Sequence, residues 1–277
     1  MAAPVLLRGA RQLLTLRESR GSRGGTGREK LGILEDGSLL IEDGRIRETG
    51  IWRRIGNLQV ARGARQIDAT GCVVLPAFID SHVELFAGSI SPPVIRKRVR
   101  SLIAQGTLLV CSSPPPNPRP MQAARAEGLE IRTDTVEETV LPLRACLSWQ
   151  SCPLPPTSCI GTGFDGHTHL AASMAAAIAI AVMQGAAVEE AILAATLRPA
   201  RQLGLDGELG ALAPGCYADF LLLDLADYRQ IPYHLGEHLV RAVYKRGVKV
   251  YERGEPYWHG ESLNASPISV KGETRKR

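Results

Sequence analysis

Aromatic residues make up only 5% of this 277-residue sequence, lysine supplies 6 of its 33 basic residues, and none of its six histidines lies between His82 and His167. The scarcity of aromatics removes the stacking surfaces on which single-stranded nucleic acids are bound. The formal charge of +5 does not restore that reading, because it sits at the two ends. Residues 1–30 hold six Arg and Lys30 against Glu18 and Glu29. Residues 268–277 hold Lys271, Arg275, Lys276 and Arg277 against Glu273, and the stretch between is slightly acidic. No basic face is visible on the body of the chain, so no nucleic-acid partner is expected.

Paired cysteines are missing too. Cysteines at 72, 111, 146, 152, 159 and 216 include no Cys-x-x-Cys pair, which argues against a zinc ribbon and for ordinary reduced thiols. Long apolar runs are also lacking. Leu170–Met183 is apolar and Ala-rich but too short to span a bilayer as a helix, and it reads as a buried helix. Arg8, Arg11 and Arg17 interrupt the apolar opening, and no small-residue cleavage site follows. The expectation is a cytoplasmic protein with no membrane partner. What is present, 44% hydrophobic and 22% charged residues, suits a globular chain with a sizeable core.

The pattern runs from β-rich through α/β and back to β-rich. Val5–Leu7, Leu13–Leu16, Ser38–Glu42 and Arg45–Glu48 read as strands, the last two joined by Asp43-Gly44, a tight-turn dipeptide. Residues 17–30 read as a loop. Gln66–Asp68 precedes a turn, and Cys72–Leu75 suits a strand buried on both faces. Pro92 opens a helix whose apolar stripe runs through 94, 95, 99, 102 and 103, with Arg96, Lys97, Arg98 and Arg100 mostly outside it. Gly106 ends that helix, and Leu108–Cys111 reads as a strand. The proline run 114–120 is expected to be extended. Residues 121–128 then read as helix and 129–133 as strand, while 142–159 fit no element. Ser173 caps a helix over Met174–Gln184. A second helix runs from Val188 towards Leu203, with a kink expected at Pro199. Strands resume at Phe220–Leu223, Val240–Lys245 and Val248–Glu252.

Three stretches bring a resemblance into view. Ser38-Leu-Leu-Ile-Glu-Asp-Gly-Arg-Ile46 and Ile67-Asp-Ala-Thr-Gly-Cys-Val-Val-Leu-Pro-Ala-Phe-Ile-Asp-Ser-His82 resemble the amino-terminal signature of the amidohydrolase superfamily. Residues 207–224 resemble its carboxyl-terminal signature. Leu7–Leu16 and Asp227–Gly247 are similar to the corresponding segments of imidazolonepropionases, which also argues against a transit peptide. The resemblance implies a (β/α)8 barrel with a small β-sandwich built from both chain ends. It also implies zinc or iron, and a small cyclic amide substrate opened by hydrolysis of a C–N bond in histidine degradation.

Between Val73 and Leu203 the chain offers about 130 residues, whereas a complete barrel takes ~250. The expected fold class is therefore α/β, an incomplete (β/α)8 barrel with a composite sandwich. Residues 1–72 and 205–258 would supply the two halves of the sandwich, 73–204 the shortened barrel, and 259–277 a disordered tail. An open barrel exposes strand edges, so a homodimer covering them is expected, or else aggregation.

The retained positions also differ from the family's. Where the family has His-x-His after its first barrel strand, this chain has His82-Val83-Glu84. Ile90 stands where the family carries a substrate-binding Arg, and Gly163 where it carries a metal-ligating Asp. By resemblance the metal ligands are His82 and Glu84, joined by Asp165, His167 and His169 as replacements. The alternative is that the last three are solvated loop residues. His234 and His238 read as structural. No catalytic or substrate-binding residue is assigned. Three readings stand: an imidazolonepropionase-like hydrolase with a rearranged metal site, a non-catalytic relative kept as a binding or structural protein, or a decayed gene product.

Overall fold

Residues 3–17, 31–88, 91–115, 117–134, 136, 138–142, 154–165 and 173–255 are described in a computed structural model. The loop expected before residue 31, Cys146 and Cys152, Ile90, His167 and His169, and the tail expected from 259 lie outside them.

The first strand, β1 (Val5–Leu14), is continuous where the sequence suggested two. Gly9 explains this: with φ of +71° it absorbs a register shift between Leu7 and Ala10, so the polar Arg8–Arg11 stretch bends the strand without ending it. Next come β2 (Ile33–Glu42), antiparallel to β1, and β3 (Arg45–Ile51). The turn between them is Asp43-Gly44, both residues at positive φ, as in the hairpin turn the sequence announced. A single helical turn α1 (Trp52–Ile55) leads to β4 (Arg65–Asp68) and β5 (Val73–Pro76), which lie parallel to successive halves of β1.

A β-α-β-α-β unit follows: β6 (Phe78–Asp80), α2 (Pro92–Ala104), β7 (Thr107–Cys111), α3 (Pro118–Ala126) and β8 (Glu130–Arg132), its three strands parallel in the order β6-β7-β8. Helix α2 buries Ile95, Val99, Leu102 and Ile103 of the expected stripe, but Val94 is exposed and Arg98 is buried in its place, contrary to the expectation. Position 98 falls three residues after 95 and four before 102, on the inner face. The proline run also needed correction. Asn117 accepts a hydrogen bond from the Arg119 N–H, and helix α3 starts at Pro118, because a first turn has no use for the N–H groups that proline lacks.

Two short parallel strands come next, β9 (Thr139–Val140) and β10 (Cys159–Ile160). Residues beyond β10 continue alongside those beyond β6: Ser81 N–H donates to Ile160, Gly163 N–H to His82, and Glu84 N–H to Phe164. Among the described residues the parallel strands form a three-stranded sheet and a pair, not a closed barrel.

Ser173 caps α4 (Met174–Met183), its hydroxyl accepting from Ala176 N–H at 3.2 Å. The expected long helix is split into α5 (Val188–Ala194) and α6 (Leu197–Gln202). The break falls at Thr196, which is off the helical region, while Pro199 sits harmlessly in the first turn of α6. Among the described residues no helix is long and apolar enough to cross a membrane.

Strands β11 (Phe220–Leu223), β12 (Val240–Lys245) and β13 (Val248–Glu252) then join the first strands in one sheet, β13-β12-β11-β5-β1-β2-β3, with β4 beside β1. Alternation splits the burial of its central strands. Val73, Leu75, Leu221 and Leu223 pack towards the helices, whereas Val74, Phe220 and Leu222 pack with Leu7 and Leu39. Both faces are dry, which is why β5 and β11 read as unbroken apolar runs.

Candidate active site

Strand β6 ends in Asp80, whose side chain is fully buried. One of its carboxylate oxygens, Oδ1, accepts from the backbone N–H groups of Thr162 (2.9 Å) and His82 (3.2 Å), and Oδ2 accepts from the Thr162 hydroxyl (2.6 Å). That hydroxyl accepts in turn from the Phe164 N–H. Burial pushes the Asp80 pKa up to about 7, against the opposing pull of its Thr162 and His82 hydrogen bonds. The network ties the end of β6 to the residues leaving β10.

His82 and Glu84 follow at alternate positions, and their side chains emerge together. His82 Nε2 and Glu84 Oε1 are 3.9 Å apart, with the side chains 45% and 49% exposed. Val83 between them is buried and donates its N–H to Cys111. Gly161 permits the close packing here, since a Cβ at 161 would lie 2.8 Å from His82 Cβ.

Asp165 does not join this pair. Among the described residues no three of His, Cys, Asp and Glu gather as a metal would need, so His82, Glu84 and Asp165 form no cluster by themselves; His167 and His169, the other two of the expected five, lie outside those residues. Asp165 is buried, 8% exposed, and its charge is felt at the guanidinium of Arg98, itself 7% exposed. Burial lowers the Arg98 pKa and Asp165 opposes that shift. Arg98 Nη1 donates to the carbonyls of Leu85 (2.9 Å) and Ala87 (3.2 Å), while Ser112 Oγ accepts from the Leu85 N–H. Arg98 and Thr162 are the residues missed in the sequence. A charged residue on the apolar stripe of α2 was the available signal for the first.

The remaining candidates have structural surroundings. His238 bridges Gln105 (3.1 Å) and Tyr251 (3.0 Å), and His234 lies beside Glu237. Burial pushes the thiols of Cys111 and Cys159 up to about 12, leaving them protonated and inert. At the opposite ends of β6, β7 and β8 lies a shallow surface hollow lined by Ala77, Leu108, Glu130, Tyr217 and Asp219, away from His82.

A family model described as the amidohydrolase family matches residues 158–250. An imidazolonepropionase of Rubrobacter xylanophilus is 34% identical over 137 residues, covering 46% of this chain and 33% of that enzyme. One of Picrophilus torridus is 40% identical over 65 residues, 24% of this chain and 16% of the relative. An adenine deaminase of Brucella abortus is 30% identical over 134 residues, 45% of this chain and 21% of that protein. The matched stretches thus span a third or less of these curated relatives. Among solved structures, E. coli guanine deaminase aligns with a TM-score of 0.61 at 16% identity, over 91% of this chain and 100% of that one. An adenosine deaminase from Xanthomonas campestris with bound Zn aligns with a TM-score of 0.64 at 14% identity, over 89% and 92%. At such identities the likeness is one of fold. Part of the chain is thus similar in sequence to the amidohydrolase family and to imidazolonepropionases, and its fold resembles that of the solved deaminases.

Proposed function

We propose that this chain acts as a metal-dependent hydrolase of a cyclic amide C–N bond, with imidazolonepropionate as the substrate to test first. The observation that carries the reading is the facing pair His82–Glu84 at the carboxyl end of a parallel strand, where enzymes of barrel type keep their chemistry. An imidazole and a carboxylate are both ordinary ligands of zinc and iron. Asp165, His167 and His169 are the further donors in this reading. Zinc or iron held there would polarise a carbonyl and acidify water. The chain's own contribution is orientation: Asp80 holds the His82 N–H, and the Phe164 carbonyl holds the Glu84 N–H.

The same reading treats β6, β7, β8, β9 and β10 as the strands of a shortened barrel within residues 73–204. The two end segments, 1–72 and 205–258, make the composite sandwich, and a second copy covers the open edge. The test is metal content of the purified protein together with hydrolysis of imidazolonepropionate after adding zinc or iron. Near-stoichiometric metal and turnover, both lost in His82→Ala, are expected. A folded protein that takes up neither metal would sink the proposal. The lack, among the described residues, of a third donor gathered with His82 and Glu84 favours a second reading, a non-catalytic relative retained for binding, and that outcome would support it.

A further inference from the structure

We infer that Arg98 is a positioning residue for the candidate site: its buried guanidinium clamps the turn that ends the segment carrying His82 and Glu84. The inference rests on the proposed role of that pair, but its geometry stands apart from any metal. Arg98 comes from α2, the helix that follows β6, and its side chain crosses the apolar face of that helix to reach back over the strand's own exit. Nη1 donates to both Leu85 and Ala87, so one donor group fixes two carbonyls of the turn that ends this segment. The opposite charge is supplied by Asp165, just beyond the residues that pair with 82–84.

A buried cation persists only with partners that replace its water, and the two carbonyls that Arg98 holds both belong to the segment that follows His82 and Glu84. The surrounding N–H groups show what the clamp holds. Val83 donates to Cys111, Glu84 to Phe164, Leu85 to Ser112 Oγ and Ala87 to Glu84. Four successive or near-successive N–H groups of this segment are therefore tied down while the His82 and Glu84 side chains stay half exposed. That is the arrangement of a rigid platform presenting two donors. A lysine at 98 would keep the charge but lose the planar fork.

The test compares the full chain with Arg98→Met, Arg98→Lys and a control on the same helix, Arg100→Met, which removes the ion pair with Glu127. Hydrogen exchange read by mass spectrometry is expected to speed up by about tenfold or more for peptides covering 82–88 in Arg98→Met, with β7 and β11 unchanged. The control is expected to leave 82–88 at the wild-type rate. Should Arg98→Met fail to fold, Arg98→Lys is read in the same way, with a smaller but localised acceleration. Unchanged exchange at 82–88, or acceleration no larger than in the control, overturns the inference. In a second arm Co(II) is titrated and its visible absorption recorded. Arg98→Met and Arg98→Lys are expected to weaken binding about tenfold or more and alter the band, as loss of a group that orients ligands does. Wild-type affinity and band in both variants would remove the positioning role. His82→Ala in this arm tests the metal reading separately: if it binds Co(II) as wild type does, that reading fails, while the exchange arm still decides whether Arg98 clamps the segment.

Discussion

Thr162 serves both oxygens of the Asp80 carboxylate, donating its hydroxyl to Oδ2 at 2.6 Å and its backbone N–H to Oδ1 at 2.9 Å. A single residue from beyond β10 thus satisfies a buried acid at the end of β6. Replacing Thr162 by Val keeps the shape and deletes the hydroxyl. The expected loss is about 1.5–3 kcal/mol of stability, read from urea unfolding at pH 7.5.

The same acid gives stability a pH dependence. Its pKa rises from 3.8 in the unfolded chain to about 7 in the native one, so between these values the folded state binds the extra proton. The Asp80 contribution is therefore present in full below about pH 4 and is lost as pH rises through 7. Urea midpoints at pH 5 and pH 8 measure it, and Asp80→Asn is expected to flatten the difference.

His238 works in the opposite sense. Burial, helped by the charge of Arg253, lowers its pKa below the usual 6.5, so the unfolded chain takes up the proton first. The bridge from Gln105 to Tyr251 thus stabilises the protein above pH 6.5 and loses that contribution as pH falls through the native value. In His238→Gln the change in Tm between pH 7.5 and pH 5.5 is expected to shrink relative to wild type. An unaltered change would mean that other groups carry it.

Gly106 ends α2 at φ of +91°, and a Cβ there would lie 2.7 Å from Leu221 Cδ1 and 3.2 Å from the Phe78 ring. Alanine would meet both a strained backbone and a packed neighbour. Gly106→Ala should cost about 2 kcal/mol or more, measured by denaturant midpoint at constant slope.

Gly163 is the reverse case. Its φ of +66° lies in the left-handed region that Asp and Asn tolerate better than most residues, and a Cβ would only touch Leu141 at 3.6 Å. Gly163→Asp restores the carboxylate that amidohydrolases carry at this position. Co(II) affinity is expected to rise about tenfold in absorption titrations, a gain that His82→Ala should cancel.

How far the molecule could be read from its sequence varied with the range of the interaction. Asp43-Gly44, the Ser173 cap and strands β11 to β13 were legible because a turn dipeptide, a capping hydroxyl and an apolar run act within a few residues. The continuity of β1 through Gly9 was hidden, since a bulge and a loop share the same polar, glycine-containing pattern. The helix break at Thr196 was misplaced to Pro199, because proline disturbs a helix interior and not its first turn. At the site, His82 and Glu84 were found from a motif, and the structure brings their side chains together. Asp80 with Thr162, and Arg98 with the Leu85 and Ala87 carbonyls, could not be paired in the same way. Each pairing joins residues from different elements, and only the packed fold makes them neighbours.

The pairing of β5 with β11 has a consequence for the order in which the protein can form. Val73–Pro76 emerges during synthesis long before Phe220–Leu223, yet each lines up with the other in the middle of the sheet. Until the later strand arrives, an apolar strand has a bare edge, the kind of surface that recruits other chains. Closing so long a loop slows folding, because its entropic cost comes before any contact rewards it. A nascent chain halted before residue 220 would carry this exposed seam. The last strands therefore act as the lock that takes the chain out of the aggregation-prone pool.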